Sequence, residues 1–207
     1  MAKQIEGVYD AVLACAKEEF LDKGYQEASL RTIAQKAGTS TGSIYTRFGD
    51  KEGLFEAIVQ PAVTGIMALV CEVQETFHSF DSETQKQQVN QYSFSEMQRA
   101  VDYMYDHFDE FCLLLDSAHG TRFRNFVDEL AQVEVDYTFK FLEAVGCPIV
   151  QELPAARELL HIVSTSYFEG VFEVIRHRMD RETAGRYVEQ LERYNAAGFE
   201  ALFFPHQ

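Results

Sequence analysis

Apolar residues recur every three or four positions along most of this chain, and that spacing predicts helices with one buried face. Near the amino end the pattern is carried by Ile5, Val8, Tyr9, Val12, Leu13, Ala16 and Phe20. Gly24 follows them, and glycine favours the end of a helix. Nowhere does an alternating pattern persist long enough to predict a β-sheet, so the chain is predicted to be all-α.

The same pattern places the other helices and the breaks between them. Further helices are predicted near residues 94–106, 108–117, 122–145, 155–178 and 181–203, with breaks at 119–121, at 146–148 and around Asp180. An apolar-rich stretch from Lys51 to about Phe77 contains Pro61, which is expected to kink or split a helix because proline lacks a backbone N–H. Residues 79–92 are the most polar and least patterned segment, so we expect a mobile loop there.

Two short helices separated by a glycine-bearing turn are predicted within residues 29–51. Ser29 can accept a hydrogen bond from the free N–H groups of a helix that begins at Leu30, and Ser40 can do the same for the next helix. Gly38, in the turn between them, tolerates the left-handed conformation that ends a helix. Helix, glycine-bearing turn and second short helix are the outline of a helix-turn-helix.

The second short helix carries side chains suited to nucleic acid. Ile44 and Phe48 lie four positions apart and can anchor the helix to a core. The positions around them are Thr41, Gly42, Ser43, Tyr45, Thr46 and Arg47. Hydroxyl, phenol and guanidinium groups can bond base edges and phosphate oxygens, and none of these residues is acidic. A helix with this surface fits the major groove of DNA.

From Ile5 to Phe55 the sequence resembles the tetracycline-repressor-like (TetR) family of transcriptional regulators. The matching segments are FLDKGY at 20–25, SLRTIA at 29–34, the Ala37-Gly38 turn and GSIYTRFGDKEGLF at 42–55. Two positions depart from the family pattern, since Thr39 stands where valine is frequent and Arg47 where histidine is frequent.

The resemblance implies an amino-terminal three-helix helix-turn-helix domain, residues 1–50, and a carboxy-terminal helical domain for ligand binding and dimerisation, residues 51–207. It also implies a DNA-binding regulator, in most family members a repressor, that a small-molecule effector releases from its operator. Base contacts are assigned to Thr41, Ser43 and Arg47. Phosphate contacts are assigned to Ser29, Arg31, Tyr45 and Lys51.

The last two predicted helices carry long apolar faces. One face runs from Leu159 to Ile175 around small residues, and the other runs from Tyr187 to Phe203. Two such helices from each of two chains would form a four-helix bundle, and the resemblance implies the same homodimer. The alternative is that these faces are internal core of a monomer.

A cavity among the central helices is expected to hold the effector, whose identity the sequence does not reveal. The chain has 17 Phe and 10 Tyr but no Trp, and most of these aromatic residues are expected to be plain core. The candidate ligand-binding residues are Met97, Tyr103, Met104, Phe108, Phe111, Phe126, Tyr137, Phe141, Tyr167 and Phe168. Acids buried among them, such as Asp116, Glu169 or Glu173, would favour a lipophilic cation.

The net charge of −15 is opposite to that of most nucleic-acid-binding proteins. Residues 1–60 hold 7 basic and 9 acidic side chains, or −2, and residues 61–207 carry the remaining −13. Basic charge is nevertheless concentrated at the helix-turn-helix, where Arg31, Lys36 and Arg47 lie. The acidic balance supports one alternative function, a helical dimeric module that senses a ligand or protein and no longer binds DNA.

Other chemistry has less support. The sequence has no phosphate-binding glycine loop, nucleophile elbow or paired-carboxylate motif, so neither an enzyme nor a cofactor is expected. Asp116, His119, His161 and Glu169 could approach one another, but such spacing is common by chance and no metal is predicted. Four scattered cysteines suit a reducing compartment. Without a long apolar run or a signal-peptide pattern, the protein is expected in the cytoplasm and off the membrane.

Overall fold

The computed structural model describes residues 2–147 and 155–204, with side chains from Gly7 onward. The helices are α1 (Ala2–Glu27), α2 (Leu30–Lys36), α3 (Thr41–Phe48), α4 (Lys51–His78), α5 (Ser82–Asp106), α6 (Phe108–Cys112), α7 (Phe126–Ala144), α8 (Ala156–Arg176) and α9 (Arg181–Phe203). A π-helical turn, Leu113–Ser117, and a 3-10 turn, Arg122–Asn125, lie between α6 and α7. Within the described ranges there is no strand, and the all-α prediction is confirmed. Of the predicted break at 146–148, Pro148 lies outside the described residues.

The chain forms two compact units. The first, the amino-terminal unit, contains Met1–Gly65 and His107–Arg124, and the second, the carboxy-terminal unit, contains Ile66–Asp106 and Asn125–Gln207. The predicted boundary after residue 50, between a DNA-binding and an effector-binding domain, stays a prediction. The amino-terminal unit extends past residue 50 because the first half of α4 completes the amino-terminal core. The fully buried ring of Phe55 lies 5.3 Å from that of Phe20 and 6.2 Å from that of Phe123, between ring centroids.

The expected loop at residues 79–92 is wrong, since α5 begins at Ser82 and covers most of that segment. Asp81 caps the helix, because its Oδ1 accepts from the backbone N–H of Thr84 at 3.0 Å. Gln85 is buried and donates to the Phe80 carbonyl at 2.8 Å. A polar sequence thus forms a helix here because its few inward side chains are tied down by tertiary contacts.

Pro61 does not split α4, which is continuous from Lys51 to His78. Leu54, Phe55, Val59 and Ala62 on this helix are fully buried, and burial on both sides of the proline holds the helix together. Among the described helices, α4 alone has the length and composition of a membrane span. One such helix is weak evidence for a span, since the core helix of a soluble protein passes the same test.

The core of the carboxy-terminal unit is built from α4, α5, α7, α8 and α9. One buried cluster in this core includes Phe77, Phe141, Leu142, Leu160 and Phe203. Val89 and Tyr92 of α5 pack against this cluster while remaining partly exposed. These five helices also surround the cavity described below.

Candidate functional site

The capping residues of the predicted helix-turn-helix act as the sequence indicates. The hydroxyl of Ser29 accepts from the backbone N–H of Thr32 at 3.3 Å, and that of Ser40 accepts from Ser43 at 3.2 Å. Gly38 adopts a positive φ of 65° in the turn between α2 and α3, a conformation that costs glycine little. Local sequence therefore fixes the ends of both helices.

A buried carboxylate that sequence reasoning missed braces this motif. Glu19 of α1 is buried, accepts from the backbone N–H of Ser29 at 3.3 Å and lies 3.6 Å from the ammonium of Lys36. It ties α1 to both ends of α2. The signal was available in the sequence, since Glu19 interrupts the apolar stripe of α1 next to Phe20.

The residues assigned to base contacts lie on the outer side of α3. Ser43 and Arg47 are exposed and Thr41 is half-buried. Arg47 is held in place, because its guanidinium lies 4.1 Å from the centroid of the Tyr9 ring, which stacks on Phe48. Such a cation–π contact limits the number of rotamers that DNA binding must freeze.

The residues assigned to phosphates are placed differently from one another. Arg31 and Tyr45 are exposed, with 53% of the Tyr45 surface accessible. Ser29 is half-buried and occupied as a cap. Lys51 donates to the carbonyls of Gln26 at 2.8 Å and Ala28 at 2.9 Å, and burial lowers the pKa of its ammonium. Lys51 therefore stabilises the end of α1, with one of its three N–H groups left for a phosphate. Its DNA contact stays a prediction.

Lys51→Ala is expected to lower the stability of the amino-terminal unit by about 1–2 kcal/mol, because two carbonyls at a helix end lose a charged donor. Thermal unfolding measures this loss. If Lys51 also contacts a phosphate, the salt slope of duplex binding by the dimer falls by about two, one for each copy of Lys51. Lys23→Ala is the control, since Lys23 pairs with Asp22 at an exposed position and its loss is expected to leave the melting temperature unchanged. A wild-type melting temperature for Lys51→Ala would contradict the stabilising role.

The charge of the exposed motif favours an anion. Residues 29–49 contain Arg31, Lys36 and Arg47 and no Asp or Glu. Lys36 is paired with Glu19, so Arg31 and Arg47 carry the positive charge of this surface on a chain of net charge −15. Phosphate contacts require cationic and hydroxyl groups placed without acidic neighbours. The local surface satisfies that requirement although the chain as a whole does not.

The carboxy-terminal unit contains a cavity of about 180 Å³. Its wall is rich in aromatic rings, supplied by Phe77, Tyr92, Tyr137, Phe141, Tyr167, Phe168 and Phe199. Asn90 and Ser93 of α5 line the cavity and are exposed, so it opens beside α5. A mostly apolar cavity with a few polar groups is typical of a small-molecule site.

Half of the predicted ligand-binding residues come together at this cavity, namely Met97, Tyr137, Phe141, Tyr167 and Phe168. The other five are outside its lining. Met104, Phe111 and Phe126 are buried core, and Tyr103 and Phe108 are half-buried elsewhere. Phe108 and Phe111 belong to the amino-terminal unit and not to the helices around the cavity.

The acids suggested by the sequence do not line the cavity. Asp116 is exposed, and Glu169 and Glu173 form ion pairs with Arg176 at 2.6 and 2.8 Å. Two other acids, Glu134 of α7 and Glu192 of α9, line it instead. Burial, reinforced by the negative charge of Glu192, raises the pKa of Glu134 to about 7.

The candidate metal residues are not assembled into a site. Asp116 and His119 belong to the amino-terminal unit, whereas His161 and Glu169 belong to the carboxy-terminal unit. Across residues 2–147 and 155–204, no group of three or more His, Cys, Asp or Glu side chains is arranged to hold a metal ion.

Residues 12–58 match the family model TetR_N, described as bacterial regulatory proteins of the tetR family. The chain is 39% identical over 64 residues to an uncharacterized HTH-type transcriptional regulator, YvdT, of Bacillus subtilis, an alignment covering 31% of the chain and 33% of YvdT. It is 34% identical over 61 residues to the HTH-type transcriptional repressor AcnR of Corynebacterium glutamicum, covering 30% and 32% of the two. The chain thus matches about a third of the length of these relatives.

Solved structures share the fold over about nine tenths of the chain. The TetR-family regulator PfmR from Thermus thermophilus superposes with a TM-score of 0.56 at 21% identity, covering 88% of this chain and 97% of PfmR. NalD, the secondary repressor of a multidrug efflux pump in Pseudomonas aeruginosa, superposes with a TM-score of 0.57 at 18% identity, covering 92% and 96%. An amino-terminal helix-turn-helix domain followed by a helical domain is therefore the architecture of this chain.

Proposed function

We propose that this chain, whose amino-terminal domain belongs to the TetR family of bacterial regulatory proteins, is a cytoplasmic transcriptional repressor that a small-molecule effector releases from operator DNA. The observation that carries the proposal is the exposed side of α3, where Ser43, Tyr45 and Arg47 stand without an acidic neighbour between residues 29 and 49. A helix of eight residues with this surface fits the major groove.

Contacts to DNA divide into two sets. Thr41, Ser43 and Arg47 contact base edges, and a guanidinium suits the paired acceptors of guanine. Ser29, Arg31, Tyr45 and Lys51 contact phosphates and fix the position of α3. The stack formed by Arg47, Tyr9 and Phe48 presents the guanidinium in a limited set of directions.

The protein binds DNA as a dimer formed through α8 and α9. Large apolar side chains are exposed on both helices, with 63% of Ile162 and 80% of Tyr194 accessible, and Tyr187 and Leu202 are also exposed. Apolar surface of this kind on adjacent helices is suited to burial against a second copy. Two copies would place two α3 helices on half-sites about 34–36 Å apart.

The order of the helices along the chain supports release of the protein from DNA by the effector. Residues 107–124 belong to the amino-terminal unit, while α5 and α7, which precede and follow them in sequence, line the cavity. Within the amino-terminal unit this segment is bound to α1, since Lys17 lies 3.1 Å from Glu110 and Gln26 donates to the His119 carbonyl at 3.0 Å. A ligand that prefers one arrangement of α5 and α7 acts on both ends of this segment. The change in DNA affinity is limited by how much more tightly the ligand binds one arrangement than the other.

Arg47→Ala is expected to weaken binding to a duplex selected from a random pool by about tenfold or more, because a base contact of this kind contributes 1–3 kcal/mol. Gel-shift titration measures the affinity, and sedimentation confirms that the dimer is unchanged. Arg186→Ala is the control, since it removes the same charge from an exposed position of the carboxy-terminal unit. Unchanged affinity and base preference in Arg47→Ala would refute the assigned role.

The alternative, a dimeric sensor that no longer binds DNA, is supported by the net charge of −15 alone. Repulsion between the acidic carboxy-terminal unit and DNA would weaken nonspecific binding in either case. Selection of bound duplexes from a random pool separates the two functions. The sensor binds no duplex even at low salt, whereas a dimeric regulator enriches a sequence with two half-sites.

A further inference from the structure

Two carboxylates face the cavity of the carboxy-terminal unit. Among the described residues, both accept hydrogen bonds from neutral groups only. Glu192 is buried and accepts from the hydroxyls of Ser93 and Tyr167. Glu134 accepts from the amide of Gln74 at 2.8 Å and from the hydroxyl of Thr138 at 3.4 Å. Glu192 is buried and Glu134 is half-buried. A carboxylate removed from water is stabilised by a cation or by taking up a proton, and the described residues of the wall do not supply the cation.

The wall supplies no counter-charge of its own. Within residues 2–147 and 155–204, no Lys or Arg lines the cavity. The third acid on the wall, Glu96, is already paired with Arg99. His78 is the one histidine of the described wall, and burial lowers the pKa of its imidazole, so it is neutral near pH 7. The cavity is therefore an acidic site inside an apolar shell.

Stability alone does not explain Glu134. Glutamine has the same shape and could keep both hydrogen bonds, without the cost of ionising a buried carboxyl beside Glu192. At position 134, which faces the cavity, the chain carries glutamate, the less stabilising of the two side chains. Buried groups that cost stability and face a cavity are typical of ligand sites.

The shape and the rings of the cavity complete the description of its ligand. A volume of about 180 Å³ holds roughly ten to fifteen groups the size of a water molecule. Faces of aromatic rings attract cations, and Tyr167, Phe168 and Phe199 stand on the helices that flank or carry Glu192. A neutral apolar molecule would leave both carboxylates unpaired, and an anion would be repelled.

We propose that this cavity binds a small organic cation, an amine or quaternary ammonium with an apolar body, whose nitrogen lies against Glu134 and Glu192. The proposal rests on the proposed function only in treating the cavity as the effector site. Cation binding itself requires no DNA, so the two can be tested separately.

Wild-type protein titrated calorimetrically with benzyltrimethylammonium tests the charge requirement. The matched control is neopentylbenzene, in which carbon replaces the nitrogen and the shape is unchanged. The cation is expected to bind about a hundredfold more tightly than the isostere, since two charged contacts are lost in the neutral molecule. Equal affinity of the two, or binding of neither, overturns the proposal.

Glu134→Gln and Glu192→Gln locate the charge. Each is expected to reduce affinity for the cation by about tenfold and to leave neopentylbenzene binding unchanged. Gln88→Glu is the control, because it adds an acid at an exposed position of α5 outside the cavity wall. Wild-type cation affinity in both Gln variants overturns the assignment. Should a variant fail to fold, the comparison of cation and isostere on wild-type protein still decides the proposal.

The pH dependence gives an independent readout, because the probe cation has no proton to lose. The titratable and charged groups around the carboxylates are His78 of α4, Tyr92, Glu96 and Arg99 of α5, Tyr137 of α7, Tyr167 of α8 and Glu192 of α9. Glu134 has to lose its proton to pair with the cation, so affinity is expected to rise about tenfold from pH 6 to pH 8 in wild type. In Glu134→Gln the rise disappears. A wild-type affinity independent of pH would contradict the role of Glu134.

The outcome is separable from that of the proposed function. If the cation binds and no duplex does, the assignment of the cavity holds and the proposed repressor function is wrong. Duplex binding without cation binding leaves a repressor with a different effector.

Discussion

Gly53→Ala is expected to disrupt the amino-terminal unit and abolish duplex binding. A Cβ at this position would overlap the carbonyl oxygen of Phe48 and lie 3.1 Å from its carbonyl carbon. Both atoms are backbone atoms of the last turn of α3, which cannot move aside as a flexible side chain can. The Gly53 N–H is also fixed, because it donates to Asp50 Oδ1 at 2.8 Å as part of the cap of α4.

Relief of this overlap requires α3 to move relative to α4. We therefore expect the amino-terminal unit to lose about 3 kcal/mol of stability, which thermal unfolding measures. We also expect the loss of measurable duplex binding. Gly7→Ala is the control, since a Cβ at Gly7 meets nothing within 4 Å and alanine is the better helix former. A Gly53→Ala protein with wild-type melting and binding would show that the junction between α3 and α4 is not as described.

Ile162→Asp or Tyr194→Asp is expected to give a monomer with duplex affinity lowered by about a hundredfold or more. Both side chains are largely exposed on α8 and α9, and a dimer formed there would bury them. A carboxylate buried at such an interface without a partner destabilises the dimer by several kcal/mol. The two-fold axis places one such carboxylate in each copy, so the effect is doubled. Loss of the second half-site then removes half of the DNA contacts.

Light scattering measures the mass, and gel-shift titration the affinity. Gln88→Asp adds the same charge at an exposed polar position of α5 and is expected to leave both unchanged. A dimer that persists in Ile162→Asp and Tyr194→Asp would place the interface elsewhere.

The helix-turn-helix could be predicted from sequence because its determinants are local. Ser29 and Ser40 cap helices that begin one residue later, and Gly38 supplies the turn. Each of these effects acts over three or four residues, which is the range that a sequence pattern reports. The start of α5 is different, since Gln85 is buried by contacts that no local pattern records.

The cavity could be predicted only in part, because aromatic composition does not separate wall from core. Phe141 lines the cavity, whereas Phe126 is buried away from it, and both lie on the apolar side of α7. The acids carried a signal that was missed. Glu192 stands four residues after buried Val188, and Glu134 four residues after buried Leu130, so each occupies an inward position of its helix.

The most direct test of DNA binding by α3 is the salt dependence of wild-type binding to duplex DNA. If Arg31 and Lys51 each neutralise a phosphate in both halves of a dimer, log K falls linearly with log salt with a slope of roughly −3 to −4. Lack of binding at low salt, or binding that salt does not weaken, would contradict the account.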